Sequence, residues 1–169
     1  MSEDLRPAAR GDVPVVETVV RAAYLHYVAR IGREPAPMLV DYAALIDRGL
    51  VHVIERDGRV QGVLVLIPQA RSLLLDNVAV APAAQGQGLG HRLLEFAERV
   101  AVASGYGSIE LYTNEAMTEN IRLYSRIGYV ETHRAEEHGL RRVYMAKALS
   151  SGKQGDLRRA GAPAADLTP

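Results

Sequence analysis

The sequence predicts an α+β domain built on a mixed, largely antiparallel sheet. Three observations carry that reading. Val51–Glu55 and Val60–Ile67 are β-rich runs joined by Arg56-Asp57-Gly58-Arg59, and Asp-Gly between apolar runs is a hairpin signal. A third apolar run, Leu73–Val80, follows through Ala70-Arg71-Ser72 and extends the pair into a meander. A helical pattern then separates Leu73–Val80 from Ser108–Thr113, and a helical crossover sets two strands parallel.

The remaining elements follow in order. Leu5–Ala8 reads as a short first strand. Asp12 is placed to cap a helix running to about Val28, with Pro14 tolerated in its first turn and Val16, Val19, Val20, Ala23 and Tyr27 on one side. Gly32, Pro35 and Pro37 make Arg30–Met38 a loop. Asp41–Asp47 is a short helix ending near Gly49. Pro82 stops the Leu73–Val80 strand. In the helix after it, Leu89, Leu93, Ala97, Val100 and Ala101 share a face, while Arg92, Glu95 and Arg99 take the other. Glu95 and Arg99 read there as a surface i,i+4 pair, and Gly105 closes the helix. Thr118 is placed to cap a helix over Glu119–Ile127, ended by Gly128. Tyr129–Arg134 and Arg141–Leu149 are two last strands joined by Ala135–Gly139. The domain is expected to span 1–149. Ser150–Pro169 is small, polar and aperiodic, the composition of a chain without fixed structure.

Bulk properties narrow the classes. At 169 residues with 48% apolar content, one domain with a sizeable core is expected. The absence of cysteine excludes disulfides, thiolate zinc sites and cysteine nucleophiles, and suits the cytoplasm. No run approaches the ~18 apolar residues of a membrane span, and the N-terminus has no apolar core of a secretory signal. Twenty basic residues balance twenty acidic ones, so neither nucleic acid nor an anionic membrane is expected as a partner.

The chemistry concentrates at Gln85-Gly86-Gln87-Gly88-Leu89-Gly90, between a buried strand and a helix. Such a loop offers free N–H groups and the positive end of a helix dipole, which suits a phosphate. A P-loop needs Gly-Lys-Ser/Thr, and Gly90 is followed by His91. A dinucleotide motif needs a third glycine where His91 stands, although Glu110 lies about where that motif's ribose-binding acid falls. A nucleotide-binding enzyme therefore stays as a rival.

The loop resembles the acetyl-CoA motif of the GNAT (Gcn5-related) N-acetyltransferases, Gln/Arg-x-x-Gly-x-Gly/Ala, met here by Gln85, Gly88 and Gly90. Asn120-x-x-x-Tyr124-x-x-x-Gly128-Tyr129 resembles that family's second motif, with Leu123 where an aromatic is usual. The element order β-α-α-β-β-β-α-β-α-β-β is similar to the family's over roughly Leu5 to Leu149. The resemblance implies a three-layer α/β/α fold with acetyl-CoA as cosubstrate and no metal. It implies that the fourth and fifth strands splay and that the pantetheine arm pairs with the backbones of Val78, Ala79 and Val80, the Val78 N–H facing the thioester oxygen. Gln85, Gly86, Gln87, Gly88, Leu89 and Gly90, with His91, would hold the pyrophosphate. Asn120 and Tyr124 share a helix face toward the cofactor, and Tyr124 would be the general acid that protonates the CoA thiolate. From the residues alone, Val78–Val80 are core strand positions, His91 a solvated helix residue and Tyr124 a packing residue.

The acceptor side is implied by the same resemblance. The loop between the first two helices and the last hairpin would frame it. That brings in Tyr24, Tyr27, Arg30, Arg33 and Glu34, with His133 and His138; Arg30 and Arg33 suit a carboxylate. His133, Glu136, Glu137 and His138 lack metal-ligand spacing. No base stands out. Leu73-Leu74-Leu75 fills the region where some members carry a glutamate, and Asp76, Glu110 and Tyr112 lie near it. The expected activity is direct acetyl transfer from acetyl-CoA to a small-molecule or peptide amine. The alternative is a non-catalytic acyl-CoA-binding sensor or interaction module. Pairing of last strands in this family leaves a homodimer open.

Overall fold

The computed structural model describes residues 2–150. A seven-stranded sheet runs in the order β1-β2-β3-β4-β5-β7-β6. Its strands are β1 (Glu3–Pro7), β2 (Val51–Arg56), β3 (Arg59–Pro68), β4 (Leu73–Val80), β5 (Ser108–Asn114), β6 (Val130–Glu137) and β7 (Leu140–Ala148). All neighbours are antiparallel except β4 and β5. Helices α1 (Val13–Tyr24) and α3 (Tyr42–Asp47) bury Val16, Val20 and Ile46 against Val51, Val53, Val63 and Val65 on one face. Helix α4 (Leu89–Ala103) and helix α5 (Thr118–Arg126) cover the other, where Leu93 and Ala97 meet Leu64, Ile109 and Leu111. The expected α+β three-layer fold is the one observed.

The differences are local. The first helix breaks at Leu25-His26, and a second short helix, α2 (Tyr27–Ile31), starts there and ends at Gly32. Helical spacing continues through the break, so the periodicity ran on to Val28. Asp12 does not cap α1: its carboxylate accepts from the Ala9 N–H at 2.8 Å and from Arg6 at 2.7 Å. Thr118 is the first residue of α5 and makes no side-chain cap; Met117 holds the cap position. The last hairpin closes through two residues, with His138 and Gly139 both at positive φ, instead of a five-residue loop. Glu95 pairs with His91, 3.1 Å away, and Arg99 lies over the Phe96 ring. The reading of 150–169 as unstructured lies, from 151 onward, outside the described residues. No helix among the described residues is long and apolar enough to cross a membrane.

One irregularity shapes everything around it. Val65 pairs with Asn77 and Leu66 with Leu75, so Asp76 is an extra residue in β4, a bulge. A bulge reverses the alternation of side chains. Leu73 and Leu75 pack in the cluster under α4, whereas Ala79 packs under α1. Bulges also bend a strand, and β4 pairs with β5 only from Leu73 to Leu75. Beyond Leu75 the two strands part.

Gly62 in β3 lets α4 approach the sheet. A Cβ there would sit 2.8 Å from Ile54 Cγ2, 3.0 Å from Leu93 Cδ1 and 3.3 Å from the Ala79 carbonyl oxygen. The Ile54 methyl is branched at Cβ and the carbonyl is backbone, so neither yields easily. Gly62→Ala is expected to destabilise the fold by about 1–3 kcal/mol through overpacking. Equilibrium urea denaturation measures it, and an unchanged midpoint would contradict the packing described.

Candidate active site

The parting of β4 and β5 leaves one edge of β4 without a strand partner from Asp76 to Val80. The direction of its peptide groups follows from the ladder. The Ala81 N–H donates to the Gln61 carbonyl on β3 at 2.8 Å. Antiparallel ladders alternate, so Ala79 also points its N–H and C=O at β3, and Val78 and Val80 point theirs into the gap. Two side-chain contacts agree. The Tyr24 hydroxyl lies 3.3 Å from the Val78 oxygen, and Gln85 Nε2 donates to the Val80 oxygen at 3.1 Å. Of the three backbones expected to face a ligand, Val78 and Val80 therefore reach the gap. Ala79 does not, because β3 uses its groups.

At one end of the gap lies the glycine loop. Gly88 takes the cap position of α4 at φ +85, a left-handed conformation that costs glycine little. The first helical bond runs from the Arg92 N–H to the Gly88 oxygen. The N–H groups of Leu89, Gly90 and His91 thus have no acceptor within the helix. They stand at the positive end of a 15-residue helix, a setting for an anion. The loop is held from behind. Gln87 donates to the Ala83 oxygen at 3.3 Å and accepts from Arg56, which is itself bound by Glu3 at 2.9 Å. His91 is exposed and directed at Glu95.

At the other end stands α5. Tyr124 is buried at 6% exposure, with its ring 5.8 Å from that of Tyr129. Burial pushes its hydroxyl pKa above the ordinary phenol value, and the neighbouring Tyr27 adds to the shift. The phenol therefore keeps its proton near neutral pH.

Two cavities meet at Tyr24, Val78, Asn120 and Tyr124, which line both. The first is a cleft reaching from Tyr124 past Val80 and Leu94 to Gln85 and Gly90. The second is a cavity of about 50 Å³ behind the bulge, walled by Leu75, Asp76, Pro35, Pro37, Tyr112 and Arg142 among others. Its back is polar and ordered. The Tyr24 hydroxyl donates to Asn77 Oδ1 at 2.6 Å, Asn77 Nδ2 donates to the Tyr42 oxygen at 3.1 Å, and Tyr42 donates to the Pro37 carbonyl at 2.6 Å. Tyr112 donates to Asp76 at 3.0 Å, and the Arg142 guanidinium lies 4.3 Å over the Tyr112 ring. Burial raises the Asp76 pKa above the usual carboxylate value, while the Tyr112 bond and the Arg142 charge pull it back. The Tyr112 phenol is pushed up to about 12.

The acceptor candidates divide between these features. Tyr24 reaches both cavities, whereas Tyr27 lines the cleft alone. Arg33 lines neither; it donates to the His138 carbonyl and ties the loop after α2 to the β6–β7 turn. Arg30 is paired with Glu119 on α5 at 2.7 Å, and Glu34 with Arg21 at 3.3 Å. His133 stacks on Tyr144 on the sheet face, away from both cavities. Arg30 is thus committed to a carboxylate already, whereas Arg33 makes its one side-chain bond to a neutral carbonyl. Sequence reasoning did not find Asn77, the Pro35–Pro37 wall or Arg142, and it named Asp76 without a direction. The signal would have been a carboxylate in mid-strand, but a bulge has no sequence mark here. Among the described residues there is no group of three or more His, Asp or Glu able to hold a metal.

A family model described as an acetyltransferase (GNAT) domain matches residues 47–131. Over 67 residues the chain is 37% identical to a mycothiol acetyltransferase of Jonesia denitrificans; the match covers 40% of this chain and about a fifth, 21%, of that protein. The fold is similar to that of a PaiA N-acetyltransferase from Thermoplasma acidophilum in complex with coenzyme A. The TM-score is 0.74 at 19% identity, over 88% of this chain and 99% of that one. It is also similar to the ribosomal-protein-S18-alanine N-acetyltransferase of Escherichia coli, at 0.73 and 18%, over 93% and 100%. YncA of Salmonella typhimurium, a putative acetyltransferase solved with acetyl-CoA, gives 0.69 and 22%, over 92% and 99%. These structural likenesses concern the fold.

The loop geometry makes a prediction about anion binding. A Cβ on Gly88 meets nothing within 4 Å, but its φ disfavours a branched residue and the side chain would project from the loop. Gly90 lies outside that region of φ, and a Cβ there makes an ordinary 3.7 Å contact with Val80. Gly88→Val is expected to weaken CoA binding at least ~10-fold by calorimetry, and Gly90→Ala by no more than about 3-fold. Equal affinities for the two variants would remove the loop from the ligand site.

Proposed function

Because the chain belongs to the GNAT acetyltransferase family, we propose that it moves the acetyl group of acetyl-CoA directly onto an amine. The observation that carries this reading is the open edge of β4, running from the N-terminus of α4 to Tyr124. An extended arm bearing amides adds to such an edge as a strand would. Val78 and Val80 supply the pairing groups, and the Leu89–His91 N–H groups take the pyrophosphate. The thioester then falls where the cleft meets the second cavity, in which the amine sits.

The residues divide the chemistry. Asp76 takes one proton from the bound ammonium, so the nitrogen has a lone pair with which to attack the thioester carbon. The desolvated carboxylate is a stronger base than one in water, which suits the task. The Val78 N–H donates to the carbonyl oxygen as negative charge builds there. Tyr124 gives its proton to the sulfur as the C–N bond forms and the C–S bond breaks. The second proton of the nitrogen restores the phenol. The sum is an ammonium and a thioester in, and an amide, a thiol and one proton out. No covalent enzyme intermediate is required, and the two cavities meeting at one point support direct attack.

The test is thiol release from acetyl-CoA over a panel of amines, with calorimetry for CoA. Tyr124→Phe keeps the ring and removes the acid, so kcat is expected to fall ~10²–10⁴-fold with CoA affinity nearly unchanged. Asp76→Asn is expected to lose kcat/KM for the amine in the same range, again with CoA bound normally. CoA binding without thiol release for any amine would leave the non-catalytic module. Wild-type turnover by Tyr124→Phe with chemistry rate-limiting would pass the acid role to water.

A further inference from the structure

We propose that the acceptor is a compact primary amine with an apolar body and no carboxylate, and that Glu137 sets this preference by neutralising Arg142. The inference rests on the amine-acetylation reading above and names its substrate class. The charged side chains lining the second cavity are Asp76 and Arg142. Arg142 alone would invite the carboxylate of an amino acid. Its charge is already used. Arg142 Nη1 binds Glu137 Oε2 at 2.5 Å, the guanidinium face lies over the Tyr112 ring, and the side chain is only 16% exposed. Glu137 is fixed in turn by a hydrogen bond from the Tyr144 hydroxyl. What remains unbalanced is the Asp76 carboxylate, so the cavity as a whole favours one positive charge. A carboxylate on the acceptor would bring a second negative charge close to Asp76 and Glu137 with no free cation to meet it, and such juxtaposition works against the wrong ligand.

The walls and the closure set the body of the acceptor. Leu75, Met117, Leu140, Pro35, Ala36 and Pro37 give the cavity apolar sides. The Pro35–Pro37 wall is tied down by Tyr42 at the Pro37 carbonyl, and the same loop is held to the β6–β7 turn through Arg33 and the His138 carbonyl. Arg30 and Glu119 cross the neighbouring cleft from α2 to α5. These ties hold the wall loop in place over the second cavity. The enclosed space is small, about 50 Å³, so the part of the acceptor that it holds is compact.

The test compares phenethylamine with phenylalanine, which differ by the carboxylate, and adds spermidine, which carries extra charge. Thiol release is measured for the wild type and for Glu137→Gln, which keeps the shape and the acceptor for Tyr144 but frees the Arg142 charge. The wild type is expected to show kcat/KM for phenethylamine about 100-fold or more above that for phenylalanine and spermidine. Glu137→Gln is expected to cut the phenethylamine-to-phenylalanine ratio at least ~10-fold by raising the rate with phenylalanine. A wild type that prefers phenylalanine or spermidine overturns the inference while leaving amine acetylation intact. So does an unmoved ratio in a Glu137→Gln protein that binds CoA normally. Should that variant fail to bind CoA, the wild-type ratio alone decides. A wild type that binds CoA but releases thiol with none of a broad panel of amines overturns the transfer reading and this inference with it.

Discussion

The extra residue at Asp76 is the constraint on which the rest of the site depends. A regular β4 would pair with β5 along its length, and the sheet would close. With one residue inserted, pairing with β5 stops at Leu75 and the strand continues to Val80 with β3 as its one partner. The cost is a row of backbone groups that no strand satisfies. The protein covers part of it with side chains, Tyr24 at the Val78 oxygen and Gln85 at the Val80 oxygen. The rest is a template for an extended ligand carrying amides. The same insertion reverses the alternation, so Asn77 reaches Tyr24 and Tyr42 and not the cluster under α4.

Rigidity is arranged around this opening from both layers. The Tyr24–Asn77–Tyr42–Pro37 chain links α1, β4, α3 and the loop before α3 through three hydrogen bonds, the middle one buried and the outer two partly so. Each member leaves an unsatisfied buried group if its partner is lost, which is why such chains fix geometry. On the other side, Gly62 lets Leu93 and α4 sit close to β3, and α4 carries its free N-terminal N–H groups with it. The pieces that would bind a phosphate, pair with an amide and donate a proton are thus set by packing on one sheet.

Much of this was legible in the sequence, and the physical reason is local chemistry. Asp57-Gly58 marked the first hairpin, the three alternating glycines marked the loop, and the Asn120/Tyr124 spacing placed both on one helix face that does line the cleft. What was not legible depends on pairing at a distance. Helical spacing carried through Leu25-His26, so the break between α1 and α2 was hidden. The bulge follows from register with β3, and nothing in LLLDNVAV declares it. Arg30 and Arg33 looked available because their partners, Glu119 and the His138 carbonyl, lie 89 and 105 residues away. Arg142 came to the second cavity through the pairing of β7 with β5, and Asp76 gained its direction only from the bulge.

The central claim is that the unpaired edge of β4 is the ligand's strand partner. Amide hydrogen exchange at single residues, with and without CoA, tests it most directly. The Val78 and Val80 N–H groups point into the gap, whereas the Ala79 and Ala81 N–H groups already bond to β3. The account predicts that saturating CoA slows exchange at Val78 or Val80, or both, along with Leu89–His91, and leaves Ala79 and Ala81 nearly unchanged. CoA bound tightly with Val78 and Val80 exchanging as fast as in the free protein would contradict it.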